Sequence, residues 1–438
     1  MLLTKATPDH IGVYQYGFAG CGFGGRTFVQ QVKAAPSRIL FTGDVTLEKR
    51  PVRALRSAPS ETLPSTDEEW IDLAIKKLST TFEGHQAAHG GKLHMAITGG
   101  LDSRLLLSVA REYCSDISLF VYGSDADIDV QIAKQVASAA GLPLRQVDKS
   151  AWALPDPDEY REVFSKQAIG YDGWANGSII NGGQDYIERL NRNAPGEVVV
   201  NGGLGEVMRN FFSLPARPFR TRDIYDHFFS NFDASSATDH YAEEEYANSI
   251  TAVVRDELGP TDEPLSRAQV ELIYPLVRGR WWTARELAVS MRFTEHLFPF
   301  LDLAMIEGFD HMPLPLKSSG RLQCAAIQTL APDLARVPTA YGFTPEAGPS
   351  RKAMLKAFAK QQVRPAWRKR LVRHTLQHMP NEVTSPARRI IEAIADPTFS
   401  YMAPYFDISR VRSGEQLGRI AVMEWLFAHY GGDRMSTA

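Results

Sequence analysis

One short stretch of this sequence constrains the fold more than any other, because a strand, a glycine turn and a helix follow one another without a gap. Residues 93–97 are mostly apolar, residues 98–103 read TGGLDS, and residues 104–113 have a helical pattern. A second apolar run at 117–122 and a helix that Gly141 closes come next. Strands and helices that alternate at this spacing are typical of βαβ units. We therefore expect an α/β fold, with a parallel sheet flanked by helices.

The pattern differs on either side of this region. Residues 1–60 are predicted to form a small β-rich unit, and the Ser/Pro-rich residues 57–65 to form a linker. A helix capped by Asp67 then begins a second unit, 67–438, which is mostly helical beyond about residue 220. The candidate strands of the first unit are 14–18, 27–32 and 38–41.

Charge and cysteine content exclude several classes of protein. The 438 residues carry 48 Lys and Arg against 51 Asp and Glu, and this net charge of −3 argues against a general nucleic-acid binder. The three cysteines are too far apart in sequence for a zinc site or a disulfide scaffold. The chain start has no signal-peptide pattern, and no apolar run of about 18 residues occurs. We therefore expect a cytoplasmic protein with no membrane partner.

The turn at 98–103 has the chemistry of an anion site. Gly99 and Gly100 let the backbone approach a ligand closely, and a helix start offers amide donors at its positive dipole end. Thr98 and Ser103 add hydroxyl donors. These features predict a pocket for phosphate or pyrophosphate. Asp102 would repel phosphates by itself, so we expect it to hold Mg²⁺ that bridges them.

This turn is not a Walker A loop, which requires G-x-x-x-x-G-K-[ST]. It resembles the S-G-G-x-D-S pyrophosphate loop of the N-type ATP pyrophosphatases, with Thr98 in place of the first serine. That loop occurs in several families: NAD and GMP synthetases, argininosuccinate synthetase, tRNA-modifying enzymes and asparagine synthetases.

Later segments resemble motifs of the asparagine synthetases in particular. Residues 201–206 resemble their second glycine-rich loop, and residues 295–302 resemble E-x-R-x-P-F-L-D, with leucine in place of the arginine. A proline-punctuated stretch at 312–317 and the proline-led residues 332–338 follow. Residues 67–438 thus resemble the synthetase domain of asparagine synthetase-like proteins. That resemblance implies the adenine nucleotide alpha hydrolase-like fold of PP-loop enzymes.

The resemblance also implies a reaction. A substrate carboxylate would attack the α-phosphate of ATP, and an amine or ammonia would then displace AMP, as in the β-lactam synthetases and lasso-peptide cyclases. Asp102 and Glu206 would be catalytic and would hold Mg²⁺. Adenosine would lie toward the end of the second strand, 117–122, and the end of the later strand, 197–200. The residues implied in ATP binding are Ile97, Thr98, Gly99, Gly100, Leu101, Asp102, Ser103, Tyr122, Gly123, Asn201 and Gly202.

Several positions depart from that family. Gly202 stands where a catalytic glutamate is expected, Gly205 where a metal-binding aspartate is expected, and Ala340 where a lysine contacts pyrophosphate. Position 2 is Leu2 rather than the nucleophilic cysteine. Residues 1–60 therefore resemble a truncated glutaminase domain, and we expect no glutaminase activity.

Two alternatives stay open beside an amide-forming ligase. One is a nucleotide-binding partner protein that has lost catalysis, and the other is a tRNA-modifying PP-loop enzyme. The basic segment 351–373 favours the second, whereas the acidic balance of the chain counts against a nucleic-acid partner. That segment is either a solvated helical face or a surface for an anionic partner. A homodimer is a further expectation.

Overall fold

The computed structural model of the protein describes residues 5–35, 39–41, 47–49, 63–149, 152–174, 182–192, 198–259 and 263–431. The strands are β1 (Ile39–Phe41), β2 (Leu47–Lys49), β3 (Lys92–Ala96), β4 (Asp116–Tyr122), β5 (Leu144–Val147), β6 (Val198–Val200) and β7 (Glu295–Leu297). The helices are α1 (His10–Ala19), α2 (Asp67–His89), α3 (Asp102–Tyr113), α4 (Ile128–Ala140), α5 (Pro157–Gly170), α6 (Gln184–Arg192), α7 (Thr221–Ile224), α8 (Glu243–Leu258), α9 (Arg267–Ile273), α10 (Ala284–Ser290), α11 (Leu303–Ile306), α12 (Leu314–Lys317), α13 (Arg321–Leu330), α14 (Pro332–Ala335), α15 (Arg351–Gln361), α16 (Pro365–Gln377), α17 (Ser385–Ile394) and α18 (Gly414–Tyr430).

The main sheet is parallel, in the order β5-β4-β3-β6-β7. Leu93 of β3 lies opposite Ile117 of β4, and His94 lies opposite Val199 of β6. All three valines of β6 are buried, as expected for a strand with both faces covered. The expected parallel sheet flanked by helices is confirmed, and so is the mostly helical C-terminal half.

Helix α2 shows how local sequence determines where an element starts. Thr66 caps the helix and forms a capping box with Glu69, so the predicted cap, Asp67, is wrong by one residue. The apolar residues recur every four positions and therefore lie on one face. The buried members of that face are Trp70, Ala74, Leu78 and Phe82.

The prediction of a strand at 14–18 is wrong, because these residues lie inside α1. Every residue from Ile11 to Phe18 is buried, so the run has neither helical nor strand alternation to distinguish the two. The start of the helix is set by Asp9, whose carboxylate accepts a hydrogen bond from the Gly12 amide at 2.8 Å. A cap five residues before the predicted strand is a weaker signal than the β-forming Tyr14, Tyr16 and Phe18 within it.

The other two strand predictions near the N-terminus differ in outcome. Residues 27–32 form no strand, and only an isolated bridge joins Val29 to Pro8. Ile39–Phe41 is confirmed as β1, which pairs with β2 antiparallel. Residues 36–38 and the linker residues 57–62 lie outside the described residues.

The N-terminal residues pack against residues from the far end of the chain. The ring of Tyr14 lies 5.4 Å from that of Phe406, edge to face. Arg419 of α18 donates a hydrogen bond to the carbonyl of Phe18 at 3.2 Å. The division of the chain at residue 60 stays a prediction. Within the described residues, no helix has the length and apolar content needed to cross a bilayer.

A buried histidine makes the stability of this fold depend on pH. His227 lies in the π-helical segment Tyr225–Phe229, and its Nε2 donates to the carbonyl of Phe212 at 2.5 Å. Burial, together with the charge of Arg368, lowers the pKa of His227 from 6.5 to about 4. His227 therefore takes up a proton near pH 6.5 in the unfolded chain, but only near pH 4 in the folded chain.

We expect the free energy of unfolding to fall by about 2 kcal/mol between pH 7.5 and pH 5 through His227 alone. The variant His227→Gln retains an N–H donor but cannot titrate. The fall in its free energy of unfolding between pH 7.5 and pH 5 should therefore be smaller than that of the wild type by about 2 kcal/mol. Urea unfolding at both pH values measures the difference, with the exposed His240→Gln as the control. An unchanged pH dependence in His227→Gln would contradict the assignment.

Candidate functional site

The order of the strands places a crevice at the carboxyl ends of β3 and β6. The chain leaves β3 toward β4 and β5 on one side, whereas β6 and β7 lie on the other. The loops that follow β3 and β6 therefore diverge and leave a space, where open α/β sheets bind their ligands. A cavity of about 590 Å³ lies there. Its walls include Thr98, Gly100, Asp102, Glu206, Arg209 and Lys317.

Some hydrogen-bond donors of the predicted phosphate loop, residues 98–103, are already bonded to other groups of the protein. The Thr98 amide donates to the Ser103 hydroxyl at 3.2 Å, and the Gly99 amide donates to the Asp129 carboxylate at 2.8 Å. By contrast, the start of α3 has no side-chain cap. The first-turn amides of a helix have no partner within the helix. These amides of α3, rather than that of Gly99, are the backbone donors available to a ligand anion.

Asp102 is the first residue of α3, and both of its carboxylate oxygens accept hydrogen bonds. Arg209 Nη2 donates to Oδ2 at 2.6 Å, and Gln323 Nε2 donates to Oδ1 at 2.5 Å. Burial raises the pKa of Asp102 to about 6; the positive charge of Arg209 opposes this shift, and the nearby Glu206 adds to it. Asp102 and Glu206 are thus neighbours, as their assignment to one site requires.

Arg209 lies between the two carboxylates. Its Nη2 is 2.6 Å from Asp102 Oδ2 and 3.5 Å from Glu206 Oε1. The Tyr274 hydroxyl donates to the other oxygen of Glu206 at 2.7 Å. Two carboxylates that face one cavity fit Mg²⁺, which usually binds one or two carboxylates together with substrate phosphates. Such an ion and Arg209 would together neutralise the negative charges of Asp102 and Glu206.

The space around position 205 admits only glycine, for a steric reason that the sequence did not reveal. A Cβ at this position would lie 2.5 Å from Asp102 Cγ and would overlap Oδ1. A side chain at 205 therefore cannot coexist with Asp102 in the observed position. This explains why glycine stands where the resemblance leads one to expect an aspartate.

A second cation in the cavity wall comes from α12. Lys317 is only 2% exposed, and its Nζ lies 2.7 Å from the Glu271 carboxylate. Burial lowers the pKa of Lys317, and the charge of Glu271 opposes that shift. The sequence pointed to the proline-punctuated stretch 312–317 but not to this lysine, because a lone lysine carries no spacing signal. Arg209 was missed for the same reason.

The loop near Ala340 docks onto the phosphate loop. The Ala340 amide donates to the Gly99 carbonyl at 2.8 Å, and the methyl group of Ala340 fills the space beside Gly99. Arg104, fully buried in α3, donates to the carbonyls of Val337 at 2.5 Å and Pro338 at 2.7 Å. Arg104 is therefore a positioning residue, since it joins the start of α3 to the loop above it.

The remaining predicted ATP-binding residues lie around the crevice without lining the cavity as it stands. Tyr122 accepts a hydrogen bond from Arg192 at 2.5 Å, and Ile97 is buried in the core. Gly123 has a local reason to be glycine: its φ is +136°, and a Cβ would meet the Asp127 carboxylate at 2.7 Å. Asn201 turns the loop after β6 by accepting a hydrogen bond from the Gly203 amide at 2.8 Å.

Gly202 faces the start of α3, and this position sharpens a prediction. A Cβ there would lie 3.6 Å from the Ser103 amide nitrogen, so alanine fits but the branches of valine would cover the first-turn amides. We expect Gly202→Val to raise the dissociation constant of ATP at least ~10-fold, about 1.4 kcal/mol. Isothermal titration calorimetry measures this, with Gly202→Ala as the matched control. Unchanged affinity in a folded valine variant would place the nucleotide elsewhere.

Comparisons with known proteins add little to this geometry. Neither a family model nor a curated protein matches the sequence. Among solved structures, the U34-tRNA thiolase NcsA of Methanococcus maripaludis, described with its 4Fe-4S cluster, is similar over 74% of this chain and 88% of its own. The identity is 11% and the TM-score is 0.26, values too low to bear on function. The resemblance to asparagine synthetase-like proteins therefore rests on the sequence motifs alone.

Proposed function

We propose that this protein is an ATP-dependent ligase that forms an amide bond. It adenylates a substrate carboxylate, releases pyrophosphate, and transfers the acyl group to an amine or ammonia. The observation that carries the proposal is one cavity that combines an uncapped helix start, two cations and two carboxylates. Cations and backbone amides can bind phosphates, and a carboxylate can accept the proton that an amine loses when it forms an amide.

The phosphate end of the cavity supports the first step. A carboxylate oxygen attacks the α-phosphorus of ATP, and the bond from that phosphorus to the bridging oxygen of pyrophosphate breaks. Negative charge grows on the departing pyrophosphate, so fixed donors stabilise the transition state. The first-turn amides of α3, Arg209 and Lys317 are the donors in reach of this cavity. Mg²⁺ held by Asp102 and Glu206 would supply further positive charge to the phosphates.

Glu206 and Tyr274 support the second step. The amine nitrogen forms a bond to the acyl carbon, the bond from that carbon to AMP breaks, and one proton leaves the nitrogen. Glu206 is the carboxylate proposed to take this proton. Burial and the neighbouring Glu206 raise the pKa of Tyr274, so its hydroxyl stays protonated and acts as a donor that orients Glu206.

The cysteines favour this function over sulfur transfer to tRNA. Cys21, Cys114 and Cys324 are all buried, and burial raises the pKa of each thiol to about 11. The thiolate is the nucleophilic form, so these thiols are poorly placed to carry sulfur. The tRNA-modifying alternative retains one supporting feature, the basic segment 351–373.

A screen over carboxylates and amines tests the proposal. We expect AMP and pyrophosphate in equal amounts, and a product whose mass is that of the two substrates less one water. Turnover that requires tRNA instead would establish the tRNA-modifying alternative. Tight ATP binding without turnover for any substrate, in the screen or with tRNA, would establish the impaired partner protein.

Glutamine is not expected to serve as the nitrogen donor through a glutaminase of this chain. The raised pKa of the buried Cys21 keeps its thiol protonated, and Cys114 and Cys324 are buried as well. Incubation with glutamine should release no glutamate above the uncatalysed rate. Glutamate release that disappears in Cys21→Ala would overturn this expectation.

A further inference from the structure

The basic segment is part of a longer region of unusual charge. Residues 347–381 contain nine Lys and Arg and no Asp or Glu, although the whole chain has a net charge of −3. The rest of the chain therefore carries a net charge of −12. Helices α15 and α16 make up most of this region. Ala353, Ala357 and Gln361 of α15 line the cavity, whereas the lysines of this helix are exposed and do not line it, so the excess of positive charge is a surface property.

The cations of this region fall into two groups. Lys369 and Arg373 form ion pairs with Glu243, and Arg368 donates to the carbonyl of His227 at 3.3 Å; these hold α16 to the protein. The second group forms no ion pair within the described residues. Its members are Arg351, Lys352, Lys356, Lys360, Arg364 and Arg370.

The same helices expose large apolar side chains. Six of the fourteen exposed large apolar side chains in the described part of the chain lie between residues 354 and 379. Leu355 is 69% exposed, Phe358 62%, Trp367 58% and Leu371 60%. Helix α15 buries none of its side chains. Soluble proteins seldom leave such a concentration of apolar surface in water without a binding role for it.

The helical period separates the two kinds of side chain. In α15, Lys352, Lys356 and Lys360 recur every four residues and form one stripe, while Leu355 and Phe358 lie on another. In α16, Trp367 and Leu371 are four residues apart, and Arg370 lies over the Trp367 ring at 5.5 Å. Each helix thus presents an apolar stripe beside unpaired cations.

We infer that the outer faces of α15 and α16 form a docking surface for an anionic lipid bilayer. A bilayer interface accepts both features at once: apolar side chains enter the acyl boundary, and Lys and Arg bind the lipid phosphates and carboxylates. From the sequence we expected no membrane partner, because no segment could span a bilayer. Surface docking needs no such segment, and it does not depend on the proposed ligase activity.

Two other partners explain less of the surface. RNA would use the cations and would stack on Trp367 and Phe358, but it gives no reason for exposed Leu355 and Leu371, which cannot stack on bases. A second copy that presents the same face would bring two strongly positive surfaces together, and like charges repel.

Flotation of the full chain with lipid vesicles tests the proposal. We expect binding to phosphatidylcholine vesicles that contain about 30% phosphatidylserine, little binding to pure phosphatidylcholine, and weaker binding when NaCl is raised from about 50 to about 500 mM. Lys352→Glu/Lys356→Glu should weaken binding at least ~25-fold. The matched control is Lys76→Glu/Lys166→Glu, two exposed lysines elsewhere, which should bind like the wild type.

A second pair separates lipid from the other partners. Leu355→Ser/Leu371→Ser keeps every charge, so it should weaken vesicle binding at least ~10-fold and leave any RNA binding unchanged. Circular dichroism confirms that the variants are folded. The proposal is overturned if wild-type protein fails to float with the anionic vesicles, or if the serine variant floats as well as the wild type. It is also overturned if a tRNA pool binds more tightly than the vesicles do, or if the glutamate variant abolishes self-association in solution.

Discussion

Replacing Asp102 with alanine is expected to lower ATP-dependent pyrophosphate release at least ~1,000-fold and to leave the protein folded. The carboxylate forms an ion pair with Arg209, accepts two hydrogen bonds at the cavity wall, and is one of two groups suited to Mg²⁺. Without it, Arg209 retains its hydrogen bond to the Tyr341 hydroxyl and the longer contact to Glu206. Pyrophosphate release is measured with the best substrate pair of the screen, and ATP affinity by calorimetry with and without Mg²⁺.

The matched control is Asp116→Ala, which removes an exposed aspartate at the amino end of β4, the edge of the sheet away from the cavity. It should release pyrophosphate at the wild-type rate. A second variant, Asp102→Asn, retains the shape of the side chain and should lose the Mg²⁺ dependence of ATP binding. Wild-type turnover in either Asp102 variant would remove this residue from the catalytic group.

Adding one methyl group at Gly205 is expected to lower pyrophosphate release at least ~30-fold. The new Cβ would overlap Asp102 Oδ1, so the carboxylate must leave Arg209 and Gln323. The effect passes through the Asp102 side chain, whose Cβ would also lie 2.9 Å from the new Cβ. The double variant Gly205→Ala/Asp102→Gly should therefore be no slower than Asp102→Gly alone. Losses that multiply instead would mean that Gly205 acts independently of Asp102.

Gly84→Ala is the control for the chemical change itself. Gly84 lies within α2 with nothing within 4 Å of the added Cβ. Alanine there should raise the free energy of unfolding by about 0.5–1 kcal/mol, since glycine is the poorer helix former, without changing turnover.

The central sheet could be predicted from the sequence because its signals are local. Apolar runs, the glycine turn at 98–103 and Gly141 at the end of α4 each act within a few residues. The same locality made Asp102 identifiable as a candidate site residue. Helix α1 was missed because the segment is buried on all sides and shows no helical period. The cap at Asp9 and contacts with residues distant in the sequence favour the helix.

The parts of the site that could not be predicted depend on contacts between distant residues. Arg209 reaches Asp102 across 107 residues of chain, and Arg104 reaches Pro338 across 234. The Asp129 carboxylate that binds the Gly99 amide comes from the following helix. None of these side chains belongs to a spaced motif, so a single sequence gives no reason to join them.

The close fit between Gly205 and Asp102 has an evolutionary consequence. Any side chain at 205 would meet the Asp102 carboxylate, so a substitution there can be accepted only if Asp102 moves or is itself replaced. Substitutions at the two positions are therefore epistatic, and descendants of this chain are expected to retain glycine at 205 for as long as Asp102 keeps its place.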